Sequence, residues 1–588
     1  MTVIATKPGL RKPSGASFYP CFVLMLTFAL SACGSEGGSA QGYNADTKQS
    51  PVDAQLHDSS SPGDLGSSDA SEPSEDTPVP ADSFLSDASN TNDTSARTPD
   101  DSSAIPNLED ASPGLDADIA AEQPDTTADP NDSAEPPFED SSSAEDDASE
   151  LDASADSEFS PCAPCTGDFN IATFDALEEL MECSIITGDL IVESSELVNF
   201  EALKEAQCLT ELSGSLEIRS NENLESLDGL NLLTKVGGDL KVEFNPVLQH
   251  LDGLESLNEV QGELDLNHNP ELIQLNGLSK VETLGKGIRI WENPLITDVD
   301  AFSKVSIIGR DLVIVTNPAL LDLDGFSGLE YLGGNLDIYD NAGLLNIDAL
   351  TQLSGVDGNL DVDVNPSLPH IDGLINVEYV GKGLRIWSNA GLENLDGLGA
   401  LESVGGYVDI VDNAALKNID GLSSLEEVEG YIDIEANASL TNVDGLLGLS
   451  EVGDDLRVWV NAKLNNVDGL INISAVGGYL YLIDNPKLPN VDGLAGLETI
   501  SGDLKIQQNN LLKNLDGFSG MLSIGGSLYI QENPSLNDIE GLLGLDSIDG
   551  NVVIQENASL CDENAQSTIS ALEVQGSLTI SSNKTCQD

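Results

Sequence analysis

The chain repeats itself on a fixed period. An apolar residue recurs from Leu190 through Leu216, Leu240, Leu264 and onward to Val552 and Leu578, at spacings of 26, then 24 fourteen times, then 26. Each is followed two residues later by Ile, Val or Leu. From Leu216 onward each is followed five residues later by Asn, giving sixteen in register from Asn221 to Asn583. So strict a period marks stacked supersecondary units. One such unit cannot bury its apolar residues alone, so the core forms by stacking and the ends need caps.

Each unit reads G-x-L-x-I-x-x-N-[PA]-x-L-x-x-[LIV]-D-G-L-x-x-L-x-x-V-x-G. The L-x-I piece alternates and predicts a short strand with two inward residues. The Asn with its following Pro or Ala predicts a turn, and a column of Asn can bond to neighbouring backbone and to the Asn above and below. The apolar residues spaced by three fit a 3₁₀-like turn or an inward-bent loop. The Asp of D-G-L, as in Asp228, Asp252, Asp372, Asp396 and Asp444, stands where an N-cap is expected. Its stacked carboxylates call either for backbone N–H partners or for a column of calcium ions. Seventeen coils at about 4.8 Å each predict a rod of roughly 80 Å.

Cys183 and Cys208 are 25 residues apart, as are Cys561 and Cys586, and each pair sits at equivalent places on successive coils. The expected disulfides are therefore Cys183–Cys208 and Cys561–Cys586. Cys162 and Cys165 remain, with pairing to each other one option. Nothing resembling a thioredoxin unit surrounds that C-x-x-C. Phe174 to Cys183 has the pattern of a short amphipathic helix closing the N-terminal end.

The run from Cys183 through Ile186, Gly188 and Leu190, with the recurring N-x-x-L-x-x-L-x-x-L, resembles the receptor L-domain family. That family includes the ligand-binding L domains of insulin- and EGF-receptor-type proteins and related solenoids of bacterial surface lipoproteins. The resemblance spans about residues 160–588. It implies a mainly β fold, a right-handed parallel β-solenoid of leucine-rich-repeat type, and binding rather than catalysis. The chain departs from receptor L domains in having many more coils and no cysteine-rich module, so no ligand is carried over.

The N-terminal third has a different composition. Lys7, Arg11 and Lys12 precede an apolar run from Phe18 to Leu30, the pattern of a secretion signal. Leu30-Ser31-Ala32-Cys33-Gly34 resembles the lipobox of bacterial lipoproteins. It implies a signal peptide over 1–32, acylation of Cys33 and a membrane anchor of two or more chains. Ser35, where Asp favours inner-membrane retention, implies the outer membrane and the cell surface. Residues 33–160 form a Ser-, Asp- and Pro-rich segment; 34–160 hold 32 acids against Lys48 and Arg97. A segment so poor in apolar residues is expected to be a disordered tether. Residues 161–588 are the solenoid.

A formal net charge of −79 argues against nucleic acid as a partner. Self-repulsion of this size favours a monomer. On the strand face, the outward column after the second inward residue holds Trp291, Tyr339, Trp387 and Trp459. The middle column holds Arg289, Arg385, Arg457, Tyr481 and Tyr529, and the column before holds Tyr407, Tyr431 and Tyr479. All three tryptophans of the chain thus share one face, which makes these twelve residues the candidate ligand-binding face for a protein or glycan. The competing reading is packing of the aromatics on one another, with the Arg of each Arg-x-Trp stacked on its Trp. A structural or adhesive rod is the alternative function. Catalysis finds little support. Fourteen equal spacings leave no room for active-site loops, and His250, His268 and His370 show no metal-ligand spacing. No cofactor or metal is expected.

Overall fold

The computed structural model describes residues 162–206 and 208–586. Expectations for Cys33, the signal segment and the acidic tether lie outside the described residues. Within them the repeat folds as a parallel β-solenoid. Every four-residue strand that begins at an alignment residue, save the last, pairs in parallel with the strand one coil earlier and one coil later. Leu264 lies opposite Leu240 and Ile288, and Leu456 opposite Ile432 and Leu480. Seventeen such strands were expected, and the principal sheet has 18. The additional strand, Phe169–Ile171, pairs with Leu190–Glu193 and comes from the segment ahead of the regular period.

The two inward residues of each regular strand are wholly buried from Leu190 to Ile554. Opposite them, apolar residues spaced by three, such as Leu248, Leu251, Leu254 and Leu257, are also wholly buried. Two-residue strands such as Glu259–Val260 form three further six-stranded parallel sheets along a second side of the coils. The D-G-L segments are short 3₁₀ helices, such as Asp252–Leu254 and Asp396–Leu398. Here the structure corrects the N-cap assignment. The Asp is the first helical residue, and the capping position is the apolar residue before it, with no side-chain cap bond. In several coils the Asp N–H donates to the side chain two residues earlier, as Asp396 does to Asn394 Oδ1 at 3.0 Å.

The Asn column is the internal frame. In each coil the Asn N–H donates to Oδ1 of the next Asn, as from Asn365 to Asn389 at 2.9 Å. Its Nδ2 donates to a strand carbonyl one coil back, as from Asn389 to Val362 O. These Asn are wholly buried from Asn221 to Asn557. In the first regular coil Ser195 takes the Asn place and donates from both N and Oγ to Asn221 Oδ1. Reaching inward requires a left-handed residue just before each Asn. Seventeen non-glycine residues, from Ser194 to Ser582, have φ of 50 to 61°. That conformation costs roughly 1–2 kcal/mol per residue. Inter-coil bonds from the same residues offset it, such as Phe244 N to Asn267 O at 3.1 Å.

The N-terminal end is closed by helices α1 (Phe174–Glu178) and α2 (Ala202–Ala206) and by two disulfides. The pairing there is Cys162–Cys208 and Cys165–Cys183, not Cys183–Cys208 or Cys162–Cys165. The reason is the additional coil. Ala163–Cys165 pairs in parallel with Cys183–Ile186, so a cysteine partner for Cys183 already lies on the preceding strand. The expected C-terminal bridge, Cys561–Cys586, is present beside helix α3 (Asp562–Ile569). Capping is less complete at this end. Leu578, inward by pattern, is 40% exposed, and the last strand pairs on one side only.

Candidate ligand-binding face

The parallel register turns each outward sequence column into a physical row. The middle row reads Asp337, Asp361, Arg385, Asp409, Asp433, Arg457, each directly opposite the next. The row beside it reads Tyr339, Asp363, Trp387, Val411, Glu435, Trp459 in the same register. The candidate residues from Tyr339 to Tyr529 therefore lie on, or one residue before, strands of one sheet. Arg289 and Trp291 lie on the same sheet, one strand removed from Tyr339.

At the centre of this face aromatics and buried charge stand side by side. Trp387 is 41% exposed, while Asp363, opposite it on the neighbouring strand, is wholly buried and Asp361 is 8% exposed. Asp363 accepts from Arg385 Nε at 2.6 Å and from the Trp387 N–H at 3.1 Å. One oxygen of Asp361, Oδ1, is buried without any partner. Three strands on, Asp433 accepts from Arg457 Nη1 at 3.1 Å and from Trp459 Nε1 at 2.7 Å. Burial pushes the Asp361 carboxyl up to about 7, against the opposing pull of Arg385. Burial likewise raises Asp363 and Asp409 to about 6 and Glu435 to about 7. Seven acids (Asp337, Asp361, Asp363, Asp409, Asp433, Glu435 and Asp455) thus share two arginines, Arg385 and Arg457. The face holds excess negative charge that is poorly solvated, and a ligand bringing donors or positive charge relieves it.

The tyrosines organise the arginines. Tyr407 and Tyr431 stack at 5.3 Å, and the Arg457 guanidinium sits 5.1 Å from the rings of both Tyr431 and Tyr479. Tyr479 stacks on Tyr481, and Lys505 lies over Tyr481 and Tyr529. The expected stacking of each Arg on its own Trp does not occur for Arg457: tyrosines take the guanidinium and Trp459 bonds a carboxylate. Tyr431, Tyr479, Tyr481 and Tyr529 are thus engaged within the sheet. Trp291, Tyr339 and Trp387 keep 36–41% exposure for contacts from outside.

Toward the N-terminal side lies a groove of about 540 Å³, one of whose lining residues, His268, packs on Trp291. Its wall is a column of prolines, Pro246, Pro270, Pro294 and Pro318, one per coil. Phe244 stacks on His268 at 4.3 Å, and His268 packs edgewise on Trp291 at 5.4 Å. His268 Nε2 lies 2.8 Å from a Glu292 oxygen. Sequence reading missed both this groove and the buried acids. Phe244 and His268 occupy the left-handed column, which was not read as outward, and the acids were lost in an acid-rich background. Among the described residues, the one metal-compatible cluster is Cys561, Glu563 and Cys586, and its two sulfurs are joined in a disulfide.

No protein-family profile and no curated protein matches the chain. Among solved structures, a leucine-rich-repeat protein of Leptospira interrogans matches at 14% identity over 60% of this chain and 93% of its own, with a TM-score of 0.26. An internalin of Listeria monocytogenes matches at 14% identity over 60% of this chain and 87% of its own, also with a TM-score of 0.26. Scores this low say nothing of what the chain binds. The solenoid stands on its own strand register, and the receptor L-domain resemblance reaches no further than that repeat architecture.

Proposed function

We propose that this chain is a non-catalytic surface protein, anchored to the outer membrane through an acylated Cys33, whose solenoid presents one strand face to a ligand. The observation that carries this reading is the gathering of all three tryptophans on one sheet, two of them beside buried and under-neutralised carboxylates. Packing alone gives no reason to gather seven acids, four of them buried, around two arginines, whereas a binding face holds such groups ready for a partner. The tether would then set the distance between membrane and face. The test uses the full-length chain in detergent, beside its Trp291→Ala, Trp387→Ala, Trp459→Ala variant. Both are challenged with envelope extracts after circular dichroism confirms folding. Ligand retained by the first and lost by the second supports the reading, and equal capture refutes it. Incorporation of labelled fatty acid that is lost in Cys33→Ser tests the anchor.

The uncovered end at Leu578 favours a second reading, a rod that associates end to end. A segment 161–588 with 18 bases against 70 acids opposes this by self-repulsion. Sedimentation at rising salt decides between them: mass growing with concentration supports the rod, and a constant monomer mass excludes it.

A further inference from the structure

The strand face carries one arrangement three times. A strand of the form Asp-x-(Asn, Asp or Glu) is followed, one coil later and in direct register, by Arg-x-Trp. Asp265 and Asn267 lie opposite Arg289 and Trp291. Asp361 and Asp363 lie opposite Arg385 and Trp387. Asp433 and Glu435 lie opposite Arg457 and Trp459. Each copy sets one indole beside a fork of planar donors and acceptors. The copies are four coils and three coils apart, or about 19 Å and about 14 Å along the stack at the usual strand spacing.

From this repetition we propose that the face binds a linear, acid-free polysaccharide lying along the solenoid axis, each Asp/Arg/Trp unit holding one sugar ring. The inference rests on the binding-face reading above and names its ligand class. An indole open to solvent offers a flat apolar surface to the C–H face of a pyranose. Carboxylate and amide groups on the preceding strand, and the guanidinium two residues earlier on the same strand, suit its hydroxyls. A site repeated in register along a straight line calls for a ligand that also repeats along a line, and a coil's rise of about 4.8 Å is close to the length one hexose adds to an extended chain. Charge selects among polysaccharides. With seven acids around two arginines at the centre of the face, uronate or sulfate chains are repelled, while hydroxyl or ammonium donors are drawn in. The unpartnered Oδ1 of Asp361, in a residue only 8% exposed, lies buried beside the second unit.

The test is calorimetric titration of the full-length chain, in a detergent without a sugar headgroup. The probes are cellohexaose, the β-1,4-glucosamine hexamer, the galacturonate hexamer, and the trimers of the first two. The expected result is binding of at least one acid-free hexamer, at least tenfold tighter than its trimer, because only the longer chain bridges Trp387 and Trp459. The galacturonate hexamer binds at least tenfold more weakly. Trp387→Ala weakens the hexamer at least tenfold, and Trp387→Phe, which keeps a ring and the fold, retains most of the affinity. Failure of both acid-free hexamers to bind, preference for galacturonate, equal affinity of trimer and hexamer, or indifference to Trp387→Ala overturns the proposal. A protein ligand lost with the tryptophans while no hexamer binds overturns the glycan inference and leaves the binding face standing. Loss of neither kind of ligand in the tryptophan variants overturns both.

Discussion

Asn389→Ala tests the internal frame of the solenoid. Asn389 is wholly buried. Its Nδ2 donates to Val362 O at 2.6 Å, and its Oδ1 accepts from the Asn365 N–H at 2.9 Å. An alanine leaves that carbonyl and that N–H buried without partners. Each orphaned group costs about 1–3 kcal/mol, so the local loss is about 2–6 kcal/mol. Repeat arrays open locally between neighbours, so a single global unfolding energy is the wrong readout. Hydrogen exchange resolved to the coils around residues 360–390 is the right one. At 1.4 kcal/mol per decade, a loss near the middle of that range accelerates exchange of the Asn365 amide by about 10³. Asn394→Ala is the control. Asn394 is half-buried and contributes one bond, to the Asp396 N–H, so its loss costs about 1 kcal/mol. If Asn389→Ala accelerates exchange no more than Asn394→Ala does, the ladder is not what holds the coils in register.

The buried carboxyls give a pH dependence of known sign. Asp361, Asp363, Asp409 and Glu435 have folded-state values raised to about 6–7, so the native state holds more protons than the unfolded chain between about pH 4 and pH 7. Their contribution is fully present below the unfolded values and is lost as pH rises through 6–7. Thermal melting is therefore expected higher at pH 5 than at pH 8, and Asp361→Asn should flatten that difference; melting that rises with pH contradicts the burial of this cluster. Non-reducing peptide mapping is expected to recover Cys162–Cys208, Cys165–Cys183 and Cys561–Cys586. Recovery of Cys183–Cys208 instead would mean that the additional N-terminal coil is absent.

The repeat was legible because a solenoid has one degree of freedom. Once Leu216 and Asn221 align with Leu240 and Asn245, the register of every later strand follows, and the inward and outward columns with it. The ends broke the period and were read less well. The strand Phe169–Ile171 has no following Asn, so it left no mark in the alignment, and the two N-terminal disulfides depended on it. The Asp of D-G-L was assigned as a cap on residue type alone. The geometry places it one residue later because the side chain two positions before, Asn394 in one coil, already serves its N–H. On the strand face the tryptophans stood out by rarity. Asp361, Asp363, Asp409 and Asp433 did not, since composition hides an acid among acids; only the row-by-row register shows two pairs of carboxylates each followed by an arginine. The left-handed column that sets Phe244 against His268 is conformational, and no residue preference announced it.

The central claim is that ligand meets the tryptophan face, and the chain carries its own reporter. Its three tryptophans, Trp291, Trp387 and Trp459, all lie there. Tryptophan emission of the full-length chain, quenched with acrylamide before and after addition of a captured ligand or a hexasaccharide, reads that face and no other. The account predicts reduced quenching and a shifted emission maximum on binding, with the Trp387→Phe variant losing part of both. Binding that leaves emission and quenching unchanged would place the ligand elsewhere on the solenoid and contradict the account.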